Sequence, residues 1–437
     1  MSKAVDINVK HVTRVEGHGN IVVKADDGSI EKVEWQVPEA PRFFEAMVRG
    51  SNYDDIQTIV SRICGICSAS HSLAALKAVE DALDVKVTEQ TRKLRILLNY
   101  AEQIESHVLH VGYLVAPDLL GVKSVVPLVS SHPDLVKTII AAHRLGNEMM
   151  SLIGGRRTHP VAVKVGGFSR IPTESQLKDL KKKLEDSVPK LKVIAEAVLG
   201  LADKLPAFER DTEYISITNP DHYTFYDGDI FSTDVDKTVD IHDFESVANE
   251  YVSTQSTAKW TKWHRDSFAV GALARFNNNA DQLLPLAKSI ADMFGLKKGC
   301  CNPYFNNVAQ IVEVVQVVEH SLKLIDELLE DGLDPEASKP PEVETKACEG
   351  VGCVEAPRGI LFHRYKFDDN GICTGANICI PTNQNHGNIQ KDFEELVPQF
   401  ISADKSEDEI RLGLEMLVRA YDPCISCSTH YLDVEFV

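Results

Sequence analysis

The sequence predicts a mostly α protein of the α+β kind, with a large helical core and small β elements at its edges. Three observations carry that prediction. Apolar residues recur at helical spacing through most of the middle of the chain. The first forty residues read instead as short strands. A stretch at 347–385, rich in Gly, Cys and β-branched residues, reads as hairpins and loops.

Taken in order, strands are expected at 7–11, 19–24 and 32–37, the last two joined by a turn at Asp26-Asp27-Gly28. The helical pattern begins near residue 67, where Leu73, Leu76, Val79 and Leu83 share a face. The next helix sets Leu94, Leu97, Ala101, Ile104, Val108 and Val111 on one stripe. A third spans 135–153 and stops at Gly154-Gly155, a usual helix end. A charged amphipathic helix covers 173–203. Residues 212–245 read as irregular and β-rich, and helices are expected again at 256–297 and 304–329. The acidic, Pro-containing 330–344 reads as a surface loop. The last helix opens with a capping box, Ser406 with Glu409, and buries Ile410, Leu414, Leu417, Val418 and Tyr421.

Length and charge narrow the function classes. At roughly 150 residues per domain, 437 residues admit two to four domains, and such a chain buries a large core without disulfide staples. With 46 Lys+Arg against 65 Asp+Glu the net charge is −19. A surface of that sign repels nucleic acid and anionic lipid. The apolar runs fall short of the ~20 residues of a membrane span, and Met1-Ser-Lys-Ala-Val-Asp6 lacks the apolar stretch of a signal peptide. The expected location is the cytoplasm. In a reducing compartment ten cysteines point to metal or redox chemistry before disulfides.

Two Cys-x-x-Cys pairs concentrate that chemistry. The first is Arg62-Ile-Cys64-Gly-Ile-Cys67, just before a helix; the second is Asp422-Pro-Cys424-Ile-Ser-Cys427-Ser-Thr-His430, just after one. Two residues between cysteines let both sulfurs turn toward one ion, and four thiolates suit zinc, iron–sulfur or nickel. A structural zinc site is the plain alternative. Its pairs normally lie within a few tens of residues of each other, whereas most of this chain separates these two.

The ordered motifs resemble one family, the large, catalytic subunit of nickel–iron hydrogenases. They run Thr13-Arg-Val-Glu16-Gly-His18, Pro41-Arg-Phe-Phe-Glu45, the Cys64 pair with His71, and Ser106-His107-Val-Leu-His110. Gly154-Gly-Arg-Arg-Thr-His159-Pro160, Glu355-Ala-Pro-Arg358-Gly-Ile-Leu361, Pro381-Thr382-Asn383 and the Cys424 pair follow. The resemblance covers the whole chain and implies a single domain, 1–437. Within it a β-containing segment spans 1–60, a helical core 61–330, and a hairpin and metal-binding region 331–437.

The resemblance implies a role for each matching residue. Cys64, Cys67, Cys424 and Cys427 would hold nickel, and Cys67 and Cys427 would bridge to an iron carrying carbon monoxide and cyanide. Cys424 would take the proton from dihydrogen and Glu16 would relay it; the alternative for Glu16 is a salt bridge with Arg14. Arg358 would lie over the metals, paired with Asp422; for an isolated pair the alternative is a surface ion pair. Thr382 would donate to a cyanide, Pro357 and Leu361 would line the carbon monoxide side, and His71 would hydrogen-bond a bridging thiolate. Glu45 and His430 would bind magnesium with a backbone carbonyl that the sequence does not place; otherwise Glu45 is a solvated helix charge. His107 and His110 are expected to be hydrogen-bonded core histidines. Ser106 stands where the family often has a carboxylate.

The implied reaction is reversible oxidation of dihydrogen to protons and electrons. The implied partners are an iron–sulfur small subunit, an iron–sulfur adaptor with heterodisulfide reductase, a maturation protease and nickel-insertion factors. The branch that fits is the cytoplasmic methyl-viologen-reducing, deazaflavin-non-reducing type. Deazaflavin-, nicotinamide- and sulfur-reducing relatives are the near alternatives, and a zinc-binding scaffold without catalysis is the alternative of another class. The family is usually cut after the last His; here residues 431–437 follow His430.

Overall fold

The computed structural model describes residues 4–26 and 29–430. The Asp27-Gly28 half of the expected first turn and the segment after His430 lie outside the described residues. About half of the chain is helical and 17% is strand, so the class is mostly α as expected.

An antiparallel sheet forms first, from β1 (Val5–Val9), β2 (Asn20–Asp26) and β3 (Ser29–Gln36). Two short helices follow, α1 (Phe44–Val48) and α2 (Ile56–Val60). The helical core then builds from α3 (Ser68–Ala82), α4 (Glu89–Leu109), α5 (Pro133–Gly154) and α6 (Glu174–Leu199). α4 runs on as a π-helical turn, His110–Val115, an irregularity frequent beside functional sites. α5 ends as expected, with Gly155 in the left-handed region at φ 82°.

The next region corrects the expectation. Residues 256–271 are not helical. Trp260–Lys262 pairs with Asn249–Tyr251, and β6 (Phe268–Ala269) lies parallel to β4 (Glu213–Thr218), which also pairs with β5 (Asp229–Ser232). Aromatic residues fit a half-buried strand surface better than the helical pattern they imitate. Gly271, at φ 115°, breaks the chain before α7 (Ala272–Asn279); α8 (Pro285–Met293) and the long α9 (Asn306–Asp331) follow.

The expected hairpin region is a three-stranded antiparallel sheet, β7 (Cys348–Ala356), β8 (Gly359–Phe367) and β9 (Cys373–Cys379). It packs on α3 at backbone distance. A Cβ on Gly350 would meet the Ala82 nitrogen at 2.3 Å, and one on Gly352 the Ala74 oxygen at 2.1 Å. A side chain at either glycine would therefore strike the α3 backbone, and the two glycines let β7 lie directly against the helix. α10 (Pro381–Ser402), which the sequence reading does not assign, then precedes α11 (Glu407–Ala420) and the turn α12 (Ile425–Ser428). α11 has its full capping box, as expected. Among the described residues no helix is long and apolar enough to cross a membrane.

At the centre one cation serves two carboxylates. Arg275 of α7 donates Nε and Nη2 to Glu313 of α9, both at 2.7 Å, and Nη1 to Glu355 of β7 at 2.9 Å, all three side chains fully buried. Burial pushes both carboxyls up. Arg275 reverses this at Glu313, which falls to about 2, but not at Glu355, which rises from 4.5 to about 7. At Glu355 the folded chain therefore holds a proton that the unfolded one has lost between 4.5 and about 7, and the contribution of this group to stability falls as pH rises through that window. The Glu355→Gln variant is expected to lose that fall. Relative to the unsubstituted chain, its urea midpoint rises between about pH 5 and about pH 7.5, whatever slope the other groups give to both. Parallel curves for the two chains would show that Glu355 does not carry the effect.

Candidate metal centre

The four cysteines of the two pairs meet in the interior. Their sulfurs lie within 4.8 Å of one another, and all four residues are buried. Cys64 and Cys424 are 3.4 Å apart and Cys67 and Cys427 3.6 Å. The first pair occupies the tight loop before α3, where Cys64 Sγ accepts from the amides of Ile66 and Cys67, each at 3.3 Å. The second forms the α12 turn, with Cys424 at its N-terminal boundary. The spacing predicts that the pairs face one ion, and the geometry brings them together.

Cys67 is the N-cap residue of α3 but makes no side-chain cap bond. Glu102 of α4 takes over that duty. Its carboxyl accepts from the amides of Ala69 at 2.7 Å and Ser70 at 2.9 Å, and from the Ser70 hydroxyl. The helix start is thus satisfied while the Cys67 sulfur stays free.

The thiols do not ionise equally. Cys64, to which Cys424, Cys427 and Cys67 donate, is held well below the ordinary thiol range. Cys424 is pushed well up by its bonds to Cys427 and Cys64, and Cys427 by burial. One thiolate ringed by thiols is what a buried cluster sustains without a cation. A soft dication that displaces the remaining protons fits this donor set.

Around the sulfurs stand the residues that the motifs singled out. Arg358 occupies the two-residue turn between β7 and β8 with Pro357, and is 3% exposed. Its Nη2 donates to Asp422 Oδ1 at 2.8 Å and its Nε to the Asp422 carbonyl at 3.0 Å, so the pair is buried, not superficial. Nη1 donates to Ser106 Oγ at 2.8 Å. Serine thus serves Arg358 as a neutral acceptor where a carboxylate would add a second anion. Asp422 itself sits at φ 49°, a left-handed conformation that Asp tolerates, and accepts from Gln310 at 3.0 Å. Thr382, in the first turn of α10, accepts the Cys424 amide at 3.0 Å, leaving its hydroxyl hydrogen to spend elsewhere. Pro357 and Leu361 are buried on the same hairpin.

Glu16 joins the second pair by backbone and side chain. Its carbonyl accepts from Ile425 at 3.0 Å, and its carboxylate takes the Ser426 amide at 3.0 Å and the Ser426 hydroxyl. Arg14 turns away, to Asp118 and the Leu114 carbonyl, so the alternative Arg14–Glu16 pair does not form. Gly17 makes this approach possible: at φ 83°, a Cβ there would lie 2.8 Å from both Ile425 and Ser426. Glu16 is half-buried.

His71 is held by a hydrogen bond at one ring nitrogen. Its Nδ1 lies 3.1 Å from His363 Nε2, and His363 Nδ1 lies 2.5 Å from the Tyr365 hydroxyl. Burial lowers His71 to about 3 and His363 well below the ordinary range. Glu45 and His430 do converge: Oε1 and Nε2 are 3.6 Å apart, and Glu45 is buried, not solvated. The Ile378 amide donates to Glu45 at 2.7 Å, and the Ile378 carbonyl lies 2.7 Å from His430 Nε2. A carboxylate, a carbonyl and an imidazole therefore share one spot. His107 and His110 are core histidines as expected, bonded to Glu313 at 2.8 Å and to the Arg419 carbonyl at 2.6 Å.

Arg42 is a residue whose part sequence reasoning missed. Its Nη2 donates to the Ile63 carbonyl at 2.6 Å and to the Ser426 carbonyl, each next to a cysteine of the cluster. One guanidinium thus ties the two distant pairs together. The sequence offered it only as part of the Pro41–Glu45 motif. Glu102, His363 and Tyr365 gave no signal, because nothing in one chain shows which buried polar groups will face each other.

Comparison with known proteins follows the same line. A family model described as Nickel-dependent hydrogenase matches residues 42–134 and 210–430, more than half of the chain, and one described as HoxL-like matches 6–40. The chain is 34% identical to the alpha subunit of sulfhydrogenase 1 from Pyrococcus furiosus, over 97% of both chains. It is 31% identical to the F420-non-reducing hydrogenase chain from Methanothermobacter marburgensis, over 98% of this chain and 95% of that one. Among solved structures it resembles an NAD+-reducing [NiFe]-hydrogenase in the H2-reduced state. The TM-score is 0.82 at 25% identity, covering 98% of this chain and 100% of the other.

Proposed function

The chain belongs to the nickel-dependent hydrogenase family, as its large subunit, and from that premise we propose how its residues divide the work. It is an oxidoreductase acting on dihydrogen, and large subunits of this family pair with an iron–sulfur small subunit. Cys64, Cys67, Cys424 and Cys427 would hold nickel, and Cys67 and Cys427 would also hold an iron bearing carbon monoxide and cyanide. The observation that carries this reading is the buried group of four sulfurs within 4.8 Å.

When bound, the metals supply a Lewis-acid centre at which dihydrogen is polarised toward heterolytic cleavage. The rest is done by the chain. Cys424 Sγ accepts the proton. Glu16, bonded to Ser426 beside it, takes the proton at its carboxylate and passes it outward. Arg358, fixed by Asp422 and Ser106, would offer a permanent cation and oriented donors to a cyanide on the iron. Thr382 would donate to a second cyanide, and Pro357 and Leu361 would keep water from the apolar side of the iron. His71 would hydrogen-bond one of the thiolates. Glu45, the Ile378 carbonyl and His430 would hold magnesium.

Electrons leave through the small subunit. It docks where the Cys64–Cys67 loop reaches the surface at Arg62 and Gly65, both exposed. Beyond it we place an iron–sulfur adaptor and a heterodisulfide-reductase-type acceptor in the cytoplasm, a reading supported by the F420-non-reducing relatives. The second reading is a sulfur-reducing acceptor, favoured by the higher identity to the Pyrococcus chain. Nickel-insertion factors load the site and a protease cuts after His430. The chain purified with its small subunit is expected to reduce viologen with dihydrogen, and to lose that reduction, but not its metal, when the small subunit is stripped. Undiminished reduction by the stripped chain would contradict the electron route.

A further inference from the structure

A buried chain of three side chains runs from β8 to α3, the helix that follows the first cysteine pair. Tyr365 and His363 are fully buried on β8, and His71 is 1% exposed on α3, four residues past Cys67. The Tyr365 hydroxyl is 2.5 Å from His363 Nδ1, and His363 Nε2 is 3.1 Å from His71 Nδ1. Among the described residues the Tyr365 hydroxyl has no other hydrogen-bond contact. If it accepted from His363, its own hydrogen would be a buried donor without a partner. It therefore donates. His363 Nδ1 then accepts, His363 carries its proton on Nε2, and that N–H can only donate to His71 Nδ1. His71 is left with its proton on Nε2.

The structure holds a parallel in which the direction is beyond dispute. The Trp35 indole N–H, which can only donate, bonds His386 Nδ1 at 3.0 Å, and His386 Nε2 lies 2.9 Å from the Ser428 hydroxyl, one residue after Cys427. Two relays of the same polarity, one through His363 to His71 and one through His386 to Ser428, thus reach the two cysteine segments.

We infer that Tyr365 and His363 are positioning residues that set the tautomer of His71, so that the nitrogen left for the thiol side, Nε2, is an N–H donor and not a lone pair. A neutral N–H donor steadies a thiolate without adding net charge beside the Arg358 cation. The reversed tautomer would turn a lone pair toward the sulfurs. The value of this to the enzyme rests on the hydrogenase reading. The tautomer itself does not, and it is measured without metal.

The test is a two-bond proton–nitrogen correlation spectrum of the full chain with 15N-labelled histidine rings, purified anaerobically without nickel. His71→Gln and His363→Gln identify the two ring signals. The expected result is a protonated Nε2 and a bare Nδ1 on His71. Tyr365→Phe should mix both tautomers at His363 and His71. His363→Gln, whose amide still donates to His71 Nδ1, should keep His71 on Nε2. A wild-type His71 protonated on Nδ1 overturns the inference, as does a Tyr365→Phe spectrum in which both rings are unchanged. If Tyr365→Phe does not fold, the wild-type and His363→Gln spectra decide alone. Failure of the chain to bind nickel would count against the proposed function and leave this result standing.

Discussion

Replacing Cys424 by Ser is expected to abolish dihydrogen–deuterium exchange and to strip nickel from a chain that still folds. The sulfur lies 3.4 Å from that of Cys64 at 2% exposure, inside the group of four. A hydroxyl fills nearly the same space but is a hard, neutral donor where a soft thiolate is needed. Loss of a residue that only supports a ligand costs about 10–100-fold in metal affinity, so loss of a ligand is expected to exceed that range. The cost to folding is smaller, within about 1–3 kcal/mol for a buried hydroxyl in place of a thiol. Metal analysis and mass-spectrometric exchange read the two effects separately. Exchange at the unsubstituted rate in Cys424→Ser would remove Cys424 as the proton acceptor.

The second large effect is expected at Glu16. In Glu16→Gln the amide oxygen can still accept from Ser426, so the backbone stitch between Glu16 and Ile425 survives. The side chain no longer carries a proton. Turnover with viologen is expected to fall by about 10²–10⁴, the usual worth of a placed acid–base group, with nickel content unchanged. Equal turnover in the two forms would mean that protons leave by another route. A fall in nickel content would mean that Glu16 serves the site's structure.

The two forecasts rest on features that differ in how plainly the sequence wrote them. The four cysteines were legible because the chemistry demands paired thiols at fixed spacing, and short spacings survive any fold. Arg358 and Asp422 were legible only through the motifs around them; their burial and mutual bond depend on the β7–β8 turn meeting the segment before Cys424. The long helices were legible because α4, α5 and α9 each bury an apolar stripe. α10 was not, because its first half buries amides instead. Asn383 donates to the Ser428 carbonyl at 3.0 Å and Gln384 to the Ile360 carbonyl at 2.8 Å. A helix that satisfies polar partners on several sides has no apolar period to detect. At 256–271 the error ran the other way: spacing imitated a helix where Trp260 and Phe268 pair as strands. Arg42, Glu102 and the Tyr365–His363 relay were hidden for one reason. Each acts across elements far apart in sequence, and only packing reveals the partner.

The central claim is that the four buried cysteines hold nickel together with an iron bearing carbon monoxide and cyanide. An infrared spectrum of the anaerobically purified chain with its small subunit, alongside metal analysis, tests it most directly. Metal-bound carbon monoxide and cyanide absorb where protein is nearly silent. The account predicts bands in that window, with nickel and iron in equal amounts, and their loss in Cys424→Ser. One zinc per chain with no bands would contradict it and identify the four sulfurs as a structural zinc site.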